Sequence, residues 1–83
     1  MRKPYLAIAN WVPGVFNTVG WVVTFWWRDG SRRDVSIGTG IAEGWIMKGF
    51  VVNEALRRTG LVLLDESELN TVQLLERQEG IKL

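Results

Sequence analysis

Apolar side chains between Tyr5 and Trp27 fall into two short runs, YLAIANWV (5–12) and WVVTFWW (21–27), separated by a Pro13-Gly14 dipeptide. Their Val, Ile, Phe and Trp content suits a pleated, half-buried surface. Two strands joined by a Pro-Gly turn are therefore predicted. Asp29-Gly30 marks a hairpin, and Asp34–Ile37 returns as a third strand.

The register of that hairpin follows from side-chain alternation. A two-residue loop at Asp29-Gly30 would mix polar and apolar residues on one face. A three-residue loop, Arg28-Asp29-Gly30, with Gly30 left-handed, separates them. Trp21, Val23, Phe25 and Trp27 then share a face with Val35 and Ile37. Val22, Thr24, Trp26, Arg32, Asp34 and Ser36 take the other, with Trp26 opposite Arg32.

After Gly38-Thr39-Gly40 the rhythm changes to a helical one over Ile41 to Thr59. Trp45, Val52 and Leu56 share its stripe, widened by Ile46 and Phe50. Arg57, Arg58 and Gly60 suit its C-terminal end. LVLL (61–64) has strand length and no alternation, so it predicts a central fourth strand covered on both sides. A second helix is predicted from Asp65 as cap, with Glu68 at the third position. Its inner stripe is Leu69, Val72 and Leu75, and Gly80 ends it. The whole reads as one α+β domain over residues 1–83, in the order β-β-β-α-β-α.

Composition removes much chemistry. The 83 residues include no cysteine and no histidine. Disulfides, thiolate metal sites and Ser/His or Cys/His nucleophile pairs are thereby excluded. No paired-carboxylate pocket is evident, so no catalytic residue, metal ligand or cofactor is assigned and the chain is not expected to be an enzyme. The cysteine-free core suits a reducing compartment, the cytoplasm (a host's, if the protein is viral). Pro4 to Trp27 carries no charge and is long enough to span a bilayer. Asn10, Pro13, Gly14, Asn17, Thr18 and Gly20 would then sit near the bilayer centre, which disfavours a membrane-associated protein held through 4–27.

Net charge is +1, with +3 on residues 1–40 and −2 on residues 41–83. The basic half contains Arg28, Arg32 and Arg33 around one turn, beside Trp26. Such a hairpin can track phosphates or stack on bases. It can equally be a solvated turn with a Trp–Arg contact. The stretch GWVVTFWWRDGSRRDVSIGT (20–39), preceding a predicted helix, resembles the sheet-and-helix arm-binding domain of phage integrases. Gly38, Thr39 and Gly40 at a helix start would attract an anion, although their spacing departs from a dinucleotide fingerprint. Asp65, Glu66, Glu68, Glu76 and Glu79 give the second helix an acidic character that would suit a basic partner.

Five tryptophans in so small a domain are hard to bury completely, and exposed tryptophan anchors interfaces. Trp11, Trp26 and Trp45, with Arg28, Arg32 and Arg33, are the candidate partner-binding residues. The sequence therefore points to a small non-catalytic protein-binding module, such as a phage-type inhibitor covering a partner's surface. The alternative is a nucleic-acid or nucleotide binder using Trp26, Arg28, Arg32 and Arg33. A homodimer would be another way to cover the surplus aromatic surface.

Overall fold

The computed structural model describes residues 2–13, 19–37 and 48–81. Three strands, β1 (Leu6–Pro13), β2 (Val19–Trp26) and β3 (Arg32–Ile37), form an antiparallel sheet in the order β1-β2-β3. Two helices follow, α1 (Lys48–Thr59) and α2 (Thr71–Ile81), with a single 3-10 turn at Glu66–Glu68 before α2. The architecture is a small α+β domain.

The hairpin has the predicted register. Trp26 pairs with Arg32, Thr24 with Asp34, Val23 with Val35 and Trp21 with Ile37. Trp27 and Ser31 close a three-residue loop through Trp27 N to Ser31 O at 2.9 Å. Gly30 takes φ +89°, a conformation that glycine adopts without steric cost. Asp29 shapes the loop further by accepting from the Ser31 amide and hydroxyl at 2.9 and 2.6 Å. These two bonds hold its carboxyl below the usual carboxylate range, helped by the nearby Arg2 guanidinium.

Alternation sends Ala7, Ala9, Trp21, Val23, Phe25 and Ile37 to one face, where Val51, Val52 and Ala55 of α1 meet them in the core. Small alanines on β1 let α1 approach, and Phe25 and Val23 fill the space. The predicted helical stripe is therefore present at Val52 and Leu56. Phe50, expected to widen it, is 63% exposed and points away from this core. The α1 terminus closes as the sequence suggests, with Gly60 at φ +72° and its amide donating to Leu56 O at 2.8 Å. Residues 41–47 of the predicted helix, with Trp45 and Ile46, lie outside the described residues, as does the Pro-Gly turn beyond Pro13.

Glu54 clamps that end of α1, accepting from Arg57 at 2.6 Å and from Arg58 at 3.0 Å. Those hydrogen bonds, Arg57's first, bring its pKa down to about 2. A carboxyl depressed in the fold stabilises above its unfolded value of 4.5 and loses that contribution as pH falls toward 2. Replacing Glu54 by glutamine should therefore flatten the acid limb of the helical circular-dichroism signal between those values. An unchanged acid limb would show the clamp to be idle in solution.

Several expectations for the C-terminal half differ from the structure. Residues 61–64 form no fourth strand. Their one backbone bond to the sheet edge is Leu64 N to Pro4 O, and proline has no N–H to return it. Arg77 occupies the neighbouring carbonyls: its Nε and Nη2 donate to Tyr5 O at 2.8 and 2.6 Å, and its Nη1 to Leu64 O at 2.6 Å. Leu61 and Leu63 face the core while Val62 is exposed, so the segment is an extended strap covered on one side only.

The second helix also starts later than Asp65. That residue makes no side-chain cap, and the 3-10 turn ends at Glu68. The helix proper is opened by Asn70 and Gln73. Gln73 N donates to Asn70 Oδ1 at 2.8 Å, and Asn70 N donates to Gln73 Oε1 at 3.1 Å. This is a reciprocal capping box. Shifting the start turns the helix, so Leu69 is buried but Val72 and Leu75 are not. Gly80 does not end the helix; it lies inside it, against β1.

Candidate functional site: the open sheet face and the α2 groove

The sheet face opposite α1 carries Leu6, Ile8, Val22, Thr24, Trp26, Arg32 and Asp34. Cross-strand pairing places Arg32, Trp26 and Leu6 in one row, followed by Asp34, Thr24 and Ile8 in the next. At the β1 side of this face, α2 rises as a wall. A methyl group built at Gly80 would stand 2.8 Å from Ala7 O and 3.2 Å from the side chains of Leu6 and Ile8. Only glycine allows the helix so close to the strand.

Between wall and face lies an open apolar groove of about 490 Å³, lined by Leu6, Ile8, Val72, Leu75 and Gly80, with Glu76 and Glu79 at its rim. Val72 is 64% exposed and Leu75 57% exposed. They stand three residues apart and form one ridge on α2. Glu76 accepts from the Tyr5 hydroxyl at 3.2 Å. Burial and this carboxylate together raise the Tyr5 pKa above its ordinary value. Among the described residues, neither Glu76 nor Glu79 forms a salt bridge.

The predicted hairpin site is partly self-satisfied. Arg32 lies over the Trp26 ring at 5.5 Å and approaches Asp34 at 3.8 Å. Trp26 is half-buried beneath it. Arg28 is exposed and donates to Glu68 O, tying the loop to the 3-10 turn. Arg33 is exposed, but it pairs with Phe25 and so belongs to the α1 face. The structure thus joins Trp26 with Arg32 and separates both from Arg28 and Arg33. Trp11 lies on β1 opposite Trp21. Trp45 and the predicted anion site at Gly38, Thr39 and Gly40 lie outside the described residues.

A smaller cleft of about 240 Å³ is bounded by Arg2, Lys3, Trp27, Arg28 and Asp29. Arg2 bonds Asp29 at 2.5 Å and Ser31 Oγ at 2.7 Å, and sits over the Trp27 ring at 5.5 Å. The Trp27 indole N–H is buried and has no acceptor among the described residues. Most of the positive charge here is committed to holding the loop. No family model matches the chain, and no curated protein or solved structure does either. The reading of function rests on geometry alone.

Sequence reasoning missed the groove, with exposed Val72 and Leu75 on its wall and half-buried Ile8 and buried Leu6 on its floor. One signal was present. Asn70-x-x-Gln73 is as good a capping pattern as Asp65-x-x-Glu68, and starting the helix there rotates Val72 and Leu75 off the inner stripe. Among the described residues, no helix is long and apolar enough to cross a membrane, and residues of the uncharged 4–27 run form β1 and β2.

Proposed function

We propose that this chain is a non-catalytic protein-binding module, whose partner docks on the open sheet face and against α2. The observation that carries the reading is the Val72–Leu75 ridge. Both side chains are exposed on a described helix and converge with Leu6 and Ile8 on one groove. Apolar surface gathered into a concavity with a charged rim is what partner proteins cover. Trp26 is the neighbour of Leu6 across the strands, so the aromatic singled out from the sequence lies at the edge of the same surface. An inhibitor that blocks a partner's surface in a cytoplasm fits this arrangement, since such a protein needs a face and no reacting groups.

The nucleic-acid reading loses ground because Arg28 and Arg32 have internal partners, and Asp34 and Glu79 lie near the same face. Phosphate-led binding needs cations free to replace counterions.

Affinity capture from lysate of the source cells, after nuclease and at moderate salt, tests the reading. A protein partner held by the native chain should be lost with Leu75→Asp and weakened with Trp26→Ala. Leu75→Asp should melt near the native temperature, because Leu75 is mostly exposed; Trp26→Ala also loses half-buried ring packing beside Leu6 and should melt several degrees lower, so capture is compared where both are folded. Capture unaffected by Leu75→Asp but abolished by Arg32→Ala with Arg33→Ala, or by nuclease, would move the site to the hairpin.

A further inference from the structure

We propose that the occupant of the α2 groove is an amphipathic helix of a partner protein, apolar on one stripe and carrying Lys or Arg on its flanks. This deepens the docking reading above and rests on it.

Three observations lead there. The first is that the start of the β1 edge, beside the groove, is blocked to an added strand. Arg77 takes Tyr5 O, and Gly80 packs against Ala7 O, so two of the carbonyls that strand addition beside the groove would use are occupied or covered. At that point a partner meets side chains and no free backbone carbonyl.

The second is shape. The groove has a helical wall and a floor of Leu6 and Ile8, whose cross-strand neighbours on β2 are Trp26 and Thr24. Neighbouring strands lie about 4.8 Å apart, so a rod roughly 10 Å wide laid beside α2 covers β1 and β2 together. The Val72–Leu75 ridge, at i and i+3, is the kind that enters the groove between turns of a facing helix.

The third is charge. Glu76 and Glu79 rim the α2 side and make no salt bridge among the described residues. On the far side Asp34 and Arg32 largely offset each other. Among the described residues, an incoming segment thus meets net negative charge next to its apolar stripe, which favours basic flanks. The same carboxylates argue against a second copy of this chain. A two-fold contact through α2 would set each rim against itself and bring like charges together.

The test uses two synthetic helices of about four turns with the same leucine stripe, one with lysine flanks and one with glutamate flanks, titrated into the full chain and followed by calorimetry and methyl NMR. The lysine helix should bind at least about tenfold more tightly than the glutamate helix, and shift the Val72 and Leu75 methyls. Leu75→Asp should weaken it by about tenfold or more, while the fold survives. Glu76→Gln with Glu79→Gln should erase most of the preference for lysine over glutamate.

Equal binding of the two helices, or binding indifferent to Leu75→Asp, would overturn the inference. So would a dimer of the native chain that dissociates with Leu75→Asp, since the groove would then be filled by a second copy. If Leu75→Asp abolishes partner capture but the lysine helix does not bind, the groove remains a docking surface and the basic-helix inference fails. Capture that survives Leu75→Asp defeats the docking reading itself.

Discussion

Arg77→Met should lower stability by about 3–4 kcal/mol, the largest effect of any single substitution considered for this chain. Arg77 is 8% exposed, yet no carboxylate is bonded to it among the described residues. Its guanidinium is satisfied by two carbonyls, Tyr5 O and Leu64 O, through three hydrogen bonds. Burial lowers its pKa, partly opposed by Glu66 and Asp65, but a guanidinium stays charged at any ordinary pH. Methionine fills similar volume and leaves both carbonyls without their donor. Lysine would be no substitute, because one ammonium cannot reproduce the planar fork that spans two carbonyls. The melting temperature should fall by on the order of 12–30 °C for both Arg77→Met and, somewhat less, Arg77→Lys. A fall of under about 4 °C for Arg77→Met would show that water satisfies those carbonyls as well as the guanidinium does.

Gly80→Ala should be the second largest, at about 2 kcal/mol net. In an open helix this change would stabilise by about 1 kcal/mol, because glycine is the poorer helix former. Here the added methyl meets Ala7 O at 2.8 Å, and the atom in its way is main chain held in the sheet. The helix must lift from β1, breaking the fit around Leu6 and Ile8, at a typical overpacking cost of 1–3 kcal/mol or more. Lifting α2 also widens the groove, so partner binding should weaken together with stability. Gly80→Ala that proved as stable as the native chain would mean that α2 does not sit on β1 as described.

The sheet was legible from sequence because alternation is self-checking. One choice of loop length sorted Trp21, Val23, Phe25, Val35 and Ile37 onto one face, and the structure has that register. The C-terminal half was less legible because its signals compete. LVLL has the composition of a buried strand, but its one neighbour on the sheet edge begins at a proline, and an arginine 13 residues after Leu64 takes the free carbonyl. Nothing local to 61–64 reveals that. Two capping patterns stand five residues apart, and the second, Asn70 with Gln73, opens the long helix. The choice between them decides whether Val72 and Leu75 are core or surface. Gly80 looked like a stop because glycine usually is one. Its role in close packing needs the position of β1, which only the tertiary structure supplies. Trp26 with Arg32 follows from register alone, while the bond from Arg28 to Glu68 O, 40 residues away, has no local signal.

A partner should cover the α2 groove, and neither the hairpin tip nor the exposed Phe50 and Val62. Methyl NMR of the native chain with its captured partner tests this directly. The methyls of Leu6, Ile8, Val72 and Leu75 should shift or broaden, with the Trp26 indole, while Val62 keeps its free resonances. Shifts confined to Val62, Phe50 or residues 28–33, with Val72 and Leu75 unmoved, would contradict it.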